Sequence, residues 1–196
     1  MIDLFEKCYK PGIADEAKAR GIYPYFHALE SKQDVTVIME GKRRIMLGSN
    51  NYLGLTTNEN VIRAGVEAYE AFGSGCSGSR FLNGTLKLHL ELEKELAAFL
   101  RKDEVVTFST GFQSNLGIIS ALVGLRDYVI MDRENHASLY DGCRLSYGTM
   151  LRYRHSDMQD LEKKLQKVPE GAGCLIVTDG VFSMGGDIAN LPEICR

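Results

Sequence analysis

Strand-like apolar runs alternate with helical segments over the second half of the chain, and this alternation constrains the fold more than any other feature. The runs cover residues 105–108, 128–131, 150–153 and 174–177. A segment with helical periodicity follows each of the first three, and residues 158–165 are clearly amphipathic. Strands separated by helices of this length are typical of βαβ units. The pattern therefore predicts an α/β fold with a mostly parallel sheet flanked by helices.

The first part of the chain has a different pattern. Residues 1–55 are predicted to form an N-terminal arm and a β-hairpin, because two strand-like runs flank Glu40-Gly41-Lys42. Thr57 or Asn58 can cap a helix that extends to about Phe72, and a second helix is predicted over residues 85–101. The predicted domain division is thus 1–55 and 56–196. Residues 191–196 resemble the first turn of a further helix, so we expect the chain to be a fragment.

Composition and charge exclude several classes of protein. The net charge is −3 and the sequence pI is about 5.8, whereas nucleic acids and anionic membranes require a basic surface. The sequence has no apolar run of the roughly 18 residues that a transmembrane helix needs, and its acidic N-terminus does not resemble a signal peptide. The five cysteines are scattered, without zinc-ligand spacing. We expect no metal site, reduced thiols and a cytoplasmic location.

A glycine-rich string at residues 73–78, Gly-Ser-Gly-Cys-Ser-Gly, matches the dinucleotide-binding fingerprint literally. That fingerprint follows a strand and opens a helix. Here a predicted helix precedes the string, and seven further residues separate it from the next helix. We therefore interpret the string as an irregular loop in which the backbone must closely approach another group.

The loops that follow the predicted strands carry the candidate site, because ligands of open α/β sheets bind beyond the carboxyl ends of the strands. Gly111 opens a helix whose free N–H groups could hold a phosphate. His136 could stack on a flat ligand or simply cap a helix, and Ser183 could donate a hydrogen bond. Asp179 and Asp187 are possible partners for a cationic ring nitrogen. The other histidines are interpreted as ordinary polar surface residues: His27, His89 and His155.

Five segments together resemble the α-oxoamine synthase family of pyridoxal 5'-phosphate (PLP) enzymes. They are Ser-Asn-Asn-Tyr-Leu-Gly (49–54), the Gly-rich segment 72–85, Ser-Thr-Gly-Phe (109–112) with its following helix, His-Ala-Ser-Leu-Tyr-Asp-Gly (136–142) and Gly-Val-Phe-Ser-Met (180–184). The resemblance covers residues from about 35 to 196. It implies the N-terminal half of the large domain of a fold-type-I PLP-dependent transferase, preceded by the arm and hairpin.

The resemblance also implies roles for the residues of the cofactor site. Gly111 and Phe112 match the backbone pair near the phosphate of PLP. His136 matches the catalytic histidine that stacks on the pyridine ring and touches the substrate carboxylate. Ser183 matches the serine near the ring hydroxyl.

Four residues match positions that the family uses for substrates. Asn50 and Asn51 lie in the motif that lines the acyl-CoA and amino-acid site and reaches the cofactor of the neighbouring subunit. Ser79 falls where the Gly-rich segment approaches the substrate, and Arg20 matches a substrate-contacting arginine of the arm.

The sequence departs from the family pattern in two respects. Asp179 stands where the family usually has glutamate, which indicates a structural role for it. The aspartate that contacts the ring nitrogen and the Schiff-base lysine are both absent, and no lysine here has the family's sequence context. We therefore expect the chain alone to be inactive and not to bind PLP covalently.

The resemblance implies a cytoplasmic, homodimeric parent enzyme that condenses an amino acid, expected to be L-serine, with a long-chain acyl-CoA and releases carbon dioxide. Glycine C-acetyltransferase and 8-amino-7-oxononanoate synthase are alternative activities. A non-catalytic partner subunit that lacks the lysine is an alternative of another class. The intact His136 and Gly111 motifs argue against that alternative.

Overall fold

The structure, a computed structural model, describes residues 3–196, which form two compact units. The first ends at Gly84 and the second begins at Thr85. The sequence predicted a different kind of division, at residue 55, between an N-terminal arm with a hairpin and part of a larger domain. That domain division stays a prediction. In the described residues, no helix is both long and apolar enough to cross a membrane.

The described part of the first unit contains three helices and a hairpin. Its elements are α1 (Glu6–Tyr9), α2 (Ile13–Ala19), β1 (Thr36–Met39), β2 (Lys42–Ile45) and α3 (Glu59–Phe72). Strands β1 and β2 are antiparallel, with Met39 opposite Lys42. Glu40 and Gly41 both have positive φ angles, of 52° and 69°, as a two-residue type I′ hairpin turn requires. The predicted hairpin is confirmed.

Helix α3 begins at the predicted cap. The side chain of Asn58 accepts hydrogen bonds from the N–H groups of Asn60 and Val61, and the helix ends where Gly73 adopts a φ of 81°. No helix begins between Gly73 and Gly84, and no strand precedes Gly73 directly. The prediction that the glycine string is not a dinucleotide fingerprint is therefore confirmed. The close backbone approach predicted for this loop occurs within the loop itself, because a Cβ atom on Gly84 would overlap the backbone of Gly78.

The second unit is an α/β sandwich. Its elements are α4 (Lys87–Leu100), α5 (Gly111–Leu122), β3 (Tyr128–Asp132), α6 (Ala137–Leu145), β4 (Thr149–Tyr153), α7 (Met158–Leu165), β5 (Cys174–Val177) and α8 (Leu191–Ile194). The three strands form a parallel sheet in the order β4-β3-β5. The predicted α/β class and parallel sheet are confirmed.

Side chains of the central strand β3 alternate between two apolar cores. Val129 and Met131 pack on one face with residues of α5 and α6, and Ile130 packs on the other face with Leu161 of α7. The side chains of Val129, Ile130 and Met131 are all fully buried. Because successive residues of a strand point to opposite faces, this one short strand anchors helices on both sides of the sheet.

The predicted strand at residues 105–108 is absent, and the sequence interpretation is wrong there. The segment is irregular, and the carboxylate of Glu93 on α4 accepts from both the N–H and the hydroxyl of Thr107, at 3.0 and 2.8 Å. Val106 is 73% exposed. An apolar run becomes a strand only when a neighbouring strand pairs with it, and no strand of the described chain does so.

Candidate active site

The N-terminus of α5 offers two free backbone N–H groups. Thr110 caps the helix through its hydroxyl, which accepts from the N–H of Gln113 at 3.1 Å, and its carbonyl accepts from the N–H of Ser114. In residues 3–196, no acceptor contacts the N–H groups of Gly111 and Phe112. Both residues are exposed, and no atom lies within 4 Å of a Cβ built on Gly111. This end of the helix is therefore open to an anion.

His136 lies at the N-cap of α6, directly after β3. Its Nδ1 atom is 2.6 Å from the hydroxyl of Ser138 and accepts the N–H of Ser138 at 3.2 Å. Its own N–H donates to a carboxylate oxygen of Asp179 at 2.6 Å. These contacts hold both the backbone and one edge of the ring, while the residue as a whole is exposed.

A hydrogen bond between helices brings the His136 and Gly111 loops together. The side-chain amide of Asn115, one turn into α5, donates to the hydroxyl of Ser138 at 2.9 Å. The two helices pack closely below this point, because Gly142 of α6 has no side chain and lies against Ile119 of α5. The N-terminal turns of α5 and α6 therefore lie side by side.

The carboxyl ends of β3 and β5 are also linked. The amide of Asn135 donates to the carbonyl of Val177 at 2.9 Å, and its oxygen accepts the N–H of Asp179 at 3.1 Å. Together with the bond from His136 to Asp179, this bridge fixes the loops after the two strands against each other. The carboxylate of Asp179 is thus occupied by backbone of the chain itself.

Ser183 takes no part in these hydrogen bonds. It is exposed at the end of a turn that an isolated bridge between Val181 and Ile188 closes. The N–H of Phe182 donates to the carbonyl of Asp187 at 2.9 Å, and Gly186 has a φ of 77°. Among the hydrogen bonds of the described residues, none joins Ser183 to His136 or Gly111.

His155 is not an ordinary surface residue, and that interpretation of the sequence is wrong. Its Nδ1 lies 2.9 Å from Asp132 and its Nε2 lies 2.6 Å from Asp187, with the ring edge-on to Phe182. The hydrogen bond to buried Asp132 raises the pKa of His155, and the bond to Asp187 adds to this, although burial opposes it. Asp187 therefore holds its loop to the residues that follow β4, and one of its carboxylate oxygens is already bonded within the chain.

The predicted substrate residues all lie in the first unit. Asn50 and Asn51 line an open pocket of about 740 Å³. The amide of Asn51 is committed internally, donating to the hydroxyl of Thr56 at 2.7 Å and accepting from the N–H of Leu55 at 3.0 Å. Asn50 is exposed on the pocket wall.

Ser79 and Arg20 are exposed elsewhere in the same unit. Ser79 lies in the glycine-rich loop, where its carbonyl accepts from the N–H groups of Leu82 and Gly84. Arg20 caps the C-terminus of α2 through its backbone. Both side chains are exposed and therefore accessible to a ligand.

Sequence reasoning missed Ser138 and Asn115, which support His136. One signal was present: a serine two residues after a helix cap often bonds back to the capping side chain. Asn115 lies in the helix that carries one of the family motifs, but its contact with Ser138 spans 23 residues and depends on how α5 packs against α6, so no local pattern indicated that role.

Several known proteins are similar to this chain. The model of the family "aminotransferase class I and II" matches residues 42–196. A serine palmitoyltransferase of Bacteroides thetaiotaomicron is 55% identical over 193 residues, which are 98% of this chain and 49% of that protein. An 8-amino-7-oxononanoate synthase of Thermoanaerobacter pseudethanolicus is 46% identical over 183 residues, 93% of this chain and 46% of the relative.

A solved structure gives the same result for the fold. Serine palmitoyltransferase from S. paucimobilis with bound PLP and myriocin superimposes with a TM-score of 0.92 at 41% identity, covering 98% of this chain and 49% of that one. The chain spans about half the length of the relatives it matches. These matches confirm the resemblance that the five motifs indicated and the predicted fold-type-I architecture.

Proposed function

The chain belongs to the aminotransferase class I and II family, and from this premise we propose that it is the N-terminal half of a PLP-dependent acyltransferase of the serine palmitoyltransferase type. The parent reaction joins an amino acid, L-serine, to a long-chain acyl-CoA. Carbon dioxide and free coenzyme A leave, and a 3-keto amine remains. The 55% identity to a serine palmitoyltransferase supports the choice of reaction.

One observation carries the cofactor assignment: two free N–H groups at the start of a 12-residue helix lie beside the turn that bears His136. The N–H groups of Gly111 and Phe112 can donate to a phosphate, whose charge the helix dipole also favours. The open space at Gly111 leaves room for that phosphate. The residues present therefore fit PLP.

His136 would orient the ring of the cofactor and the substrate. Its exposed imidazole can lie flat against a pyridine ring, while the Asp179 and Ser138 contacts prevent its backbone and inner edge from turning. The hydroxyl of Ser183 would donate to the ring hydroxyl, which requires its loop to lie over the site. PLP itself supplies an electron sink for breaking a bond at the amino-acid α-carbon.

Substrate contacts would come from the first unit. We assign Asn50, Asn51, Ser79 and Arg20 to binding of the amino acid and acyl-CoA in a homodimeric, cytoplasmic parent. Asn50 contributes a free amide to a pocket large enough for part of such a substrate. Asn51 shapes that pocket by fixing the turn that follows it.

A second candidate activity is that of 8-amino-7-oxononanoate synthase, which relatives at 46% and 44% identity favour. The two activities differ in the amino acid and the acyl chain. A test is the change in the absorbance of PLP in the presence of the chain when L-serine, L-alanine or glycine is added. Serine palmitoyltransferase-type specificity is expected to give the strongest response with L-serine, whereas a preference for L-alanine would favour the second candidate.

The phosphate assignment is tested by Gly111→Pro. Proline is tolerated at the first position of a helix but has no N–H, and Thr110 already has the extended backbone that a residue before proline needs. Loss of one charge-assisted hydrogen bond is expected to weaken PLP binding about tenfold or more, measured by fluorescence titration.

Gly111→Ala is the matched control, because it keeps the N–H and an added Cβ has open space. Pyridoxal, which lacks the phosphate, provides a second control. The Gly111→Pro substitution is expected to leave pyridoxal binding unchanged. An equal loss of affinity for PLP and pyridoxal would show that the phosphate lies elsewhere.

A further inference from the structure

We propose that Ser138 and Asn115 are positioning residues that fix the imidazole of His136 in the tautomer with its proton on Nε2. The chain of hydrogen bonds runs from Asn115 through the hydroxyl of Ser138 to Nδ1 of His136. The consequence for substrate binding rests on the proposed function, but the tautomer itself is a property of this chain alone.

The direction of the hydrogen-bond chain is set by a backbone group. The N–H of Ser138 points at Nδ1 of His136 at 3.2 Å, and a backbone N–H can only donate. Nδ1 must therefore be an acceptor, which in a neutral imidazole places the proton on Nε2. The capping of α6 by His136 thus favours the tautomer with its proton on Nε2, and the side chains of Ser138 and Asn115 strengthen that preference.

The two side chains extend this direction. Because Nδ1 accepts, the hydroxyl of Ser138 must donate its proton to it across 2.6 Å. The lone pairs of that oxygen are then free to accept from the side-chain amide of Asn115 at 2.9 Å. The three hydrogen bonds are therefore mutually consistent: two donors of Ser138 point at Nδ1, and the amide of Asn115 donates to the oxygen of Ser138.

Burial makes the arrangement resistant to reorganisation by water. Ser138 is 1% exposed, and Asn115 is half-buried. The packing of Gly142 against Ile119 fixes the spacing of the two helices that carry them. In such surroundings a hydroxyl with no protein partner would lose its hydrogen bond altogether, so reversing the chain is costly.

The result is that His136 presents an N–H group outward. With Nδ1 occupied, Nε2–H is the only polar group of the ring available to a ligand, and it is a donor. A donor at this position suits an anionic group such as the carboxylate of an amino acid. The opposite tautomer would present a bare nitrogen, which would repel the same carboxylate.

The test is ¹⁵N NMR of the full 196-residue chain with labelled histidine, without cofactor or substrate, at about pH 8, where imidazoles are ordinarily neutral. Long-range ¹H–¹⁵N correlations distinguish a protonated from a bare ring nitrogen. We expect His136 to show protonated Nε2 and bare Nδ1. A proton on Nδ1 in the unmodified chain would overturn the proposal.

Asn115→Asp provides the sharpest variant, because it is almost the same size but reverses the polarity. A carboxylate can only accept, so Ser138 must donate to it and can then only accept from His136. The hydroxyl then no longer donates to Nδ1, although the backbone N–H of Ser138 still does, so the ratio of Nε2–H to Nδ1–H is expected to fall below that of the unmodified chain. Ser138→Ala is expected to lower the ratio of Nε2–H to Nδ1–H roughly two- to tenfold, as loss of one neutral hydrogen bond predicts.

Ser146→Ala is the control, since it removes a hydroxyl from the other end of α6 that bonds only to the carbonyl of Cys143. It is expected to leave the His136 signals unchanged. An Asn115→Asp variant that keeps well-dispersed amide signals and an unchanged ratio of Nε2–H to Nδ1–H would refute the role of Asn115 and Ser138. If the variants do not fold, the result for the unmodified chain still decides. Failure to bind PLP would sink the proposed function without changing these tautomer signals.

Discussion

His155 connects three parts of the second unit through its ring. It lies just after β4, bonds to Asp132 at the end of β3, and bonds to Asp187 in the loop that carries Ser183. Since both ring nitrogens face carboxylates, both carry protons when the bonds are complete, and the ring is then a cation. The charge of His155 therefore stabilises the position of the Ser183 loop.

This arrangement makes stability depend on pH. The pKa of His155 is raised in the folded chain, above the value of about 6.5 for an unfolded chain. The stabilisation is therefore complete below about pH 6.5 and is lost as the pH rises through the raised value. We expect His155→Gln to lower the free energy of unfolding by about 1–3 kcal/mol at about pH 6, and by less at about pH 8.

Urea denaturation at the two pH values measures the difference. Ser146→Ala is the control, because it removes a hydrogen bond between two groups that do not titrate, from the hydroxyl of Ser146 to the carbonyl of Cys143. Its effect is expected to be similar at both pH values. The interpretation of His155 fails if His155→Gln destabilises the chain equally at both.

The residues that sequence reasoning found and missed differ in how far their contacts reach. Gly111 and His136 were found because each follows an apolar run directly, and the local order of the chain places it at the edge of the sheet. Ser138 and His155 were missed because their decisive partners lie 23 and 32 residues away. Contacts over that separation depend on how helices pack and where loops lie, and a local sequence pattern does not predict either.

At the scale of elements, the contact between α5 and α6 determines the site. Gly142 lies where the helices cross, and an added Cβ would lie 2.9 Å from the Cδ1 of Ile119 and 3.1 Å from the carbonyl of Asn115. We expect Gly142→Ala to lower the free energy of unfolding by about 1–3 kcal/mol through overpacking, measured by thermal or urea unfolding.

Gly65→Ala in α3 serves as the comparison, because an added Cβ there meets no atom within 4 Å. In that open position alanine is expected to stabilise the helix by roughly 0.5–1 kcal/mol. Gly142→Ala without loss of stability would mean that the two helices are less tightly packed than the structure indicates.

Elements with strong local patterns were predictable, and one that needs a distant partner was not. The hairpin turn, α3 with its Asn58 cap and α7 follow from residues within a few positions of one another. The run at 105–108 has strand-like composition, yet its Thr107 bonds to Glu93 of α4 instead of to a strand. Strand formation is a property of pairing, so composition alone could not decide it.

At the scale of the whole chain, the proposed function includes a negative expectation. The described lysines are exposed, apart from Lys164, which is half-buried and lies 3.7 Å from Asp160 on α7. The hydrogen bonds of His136 in the described residues go to Asp179 and Ser138 and not to any lysine. We therefore expect the chain to show no turnover with L-serine and palmitoyl-CoA and to bind PLP reversibly.

Borohydride reduction in the presence of PLP, followed by peptide mass analysis, measures covalent attachment. We expect only scattered, low-level modification of surface lysines. A lysine activated as a nucleophile would react selectively. Stoichiometric modification of a single lysine would contradict this expectation, because it would show that the catalytic lysine lies within this chain.

The central claim is that PLP binds at the start of α5 beside His136, and amide NMR tests it most directly. A ¹⁵N-labelled chain is titrated with PLP, and the shifts of assigned backbone amides are mapped. The largest changes are expected at Gly111 and Phe112, with smaller ones at His136, and inorganic phosphate should reproduce those at Gly111 and Phe112 alone. Changes centred instead on residues 73–84 or on the pocket at Asn50, with Gly111 unmoved, would contradict the account.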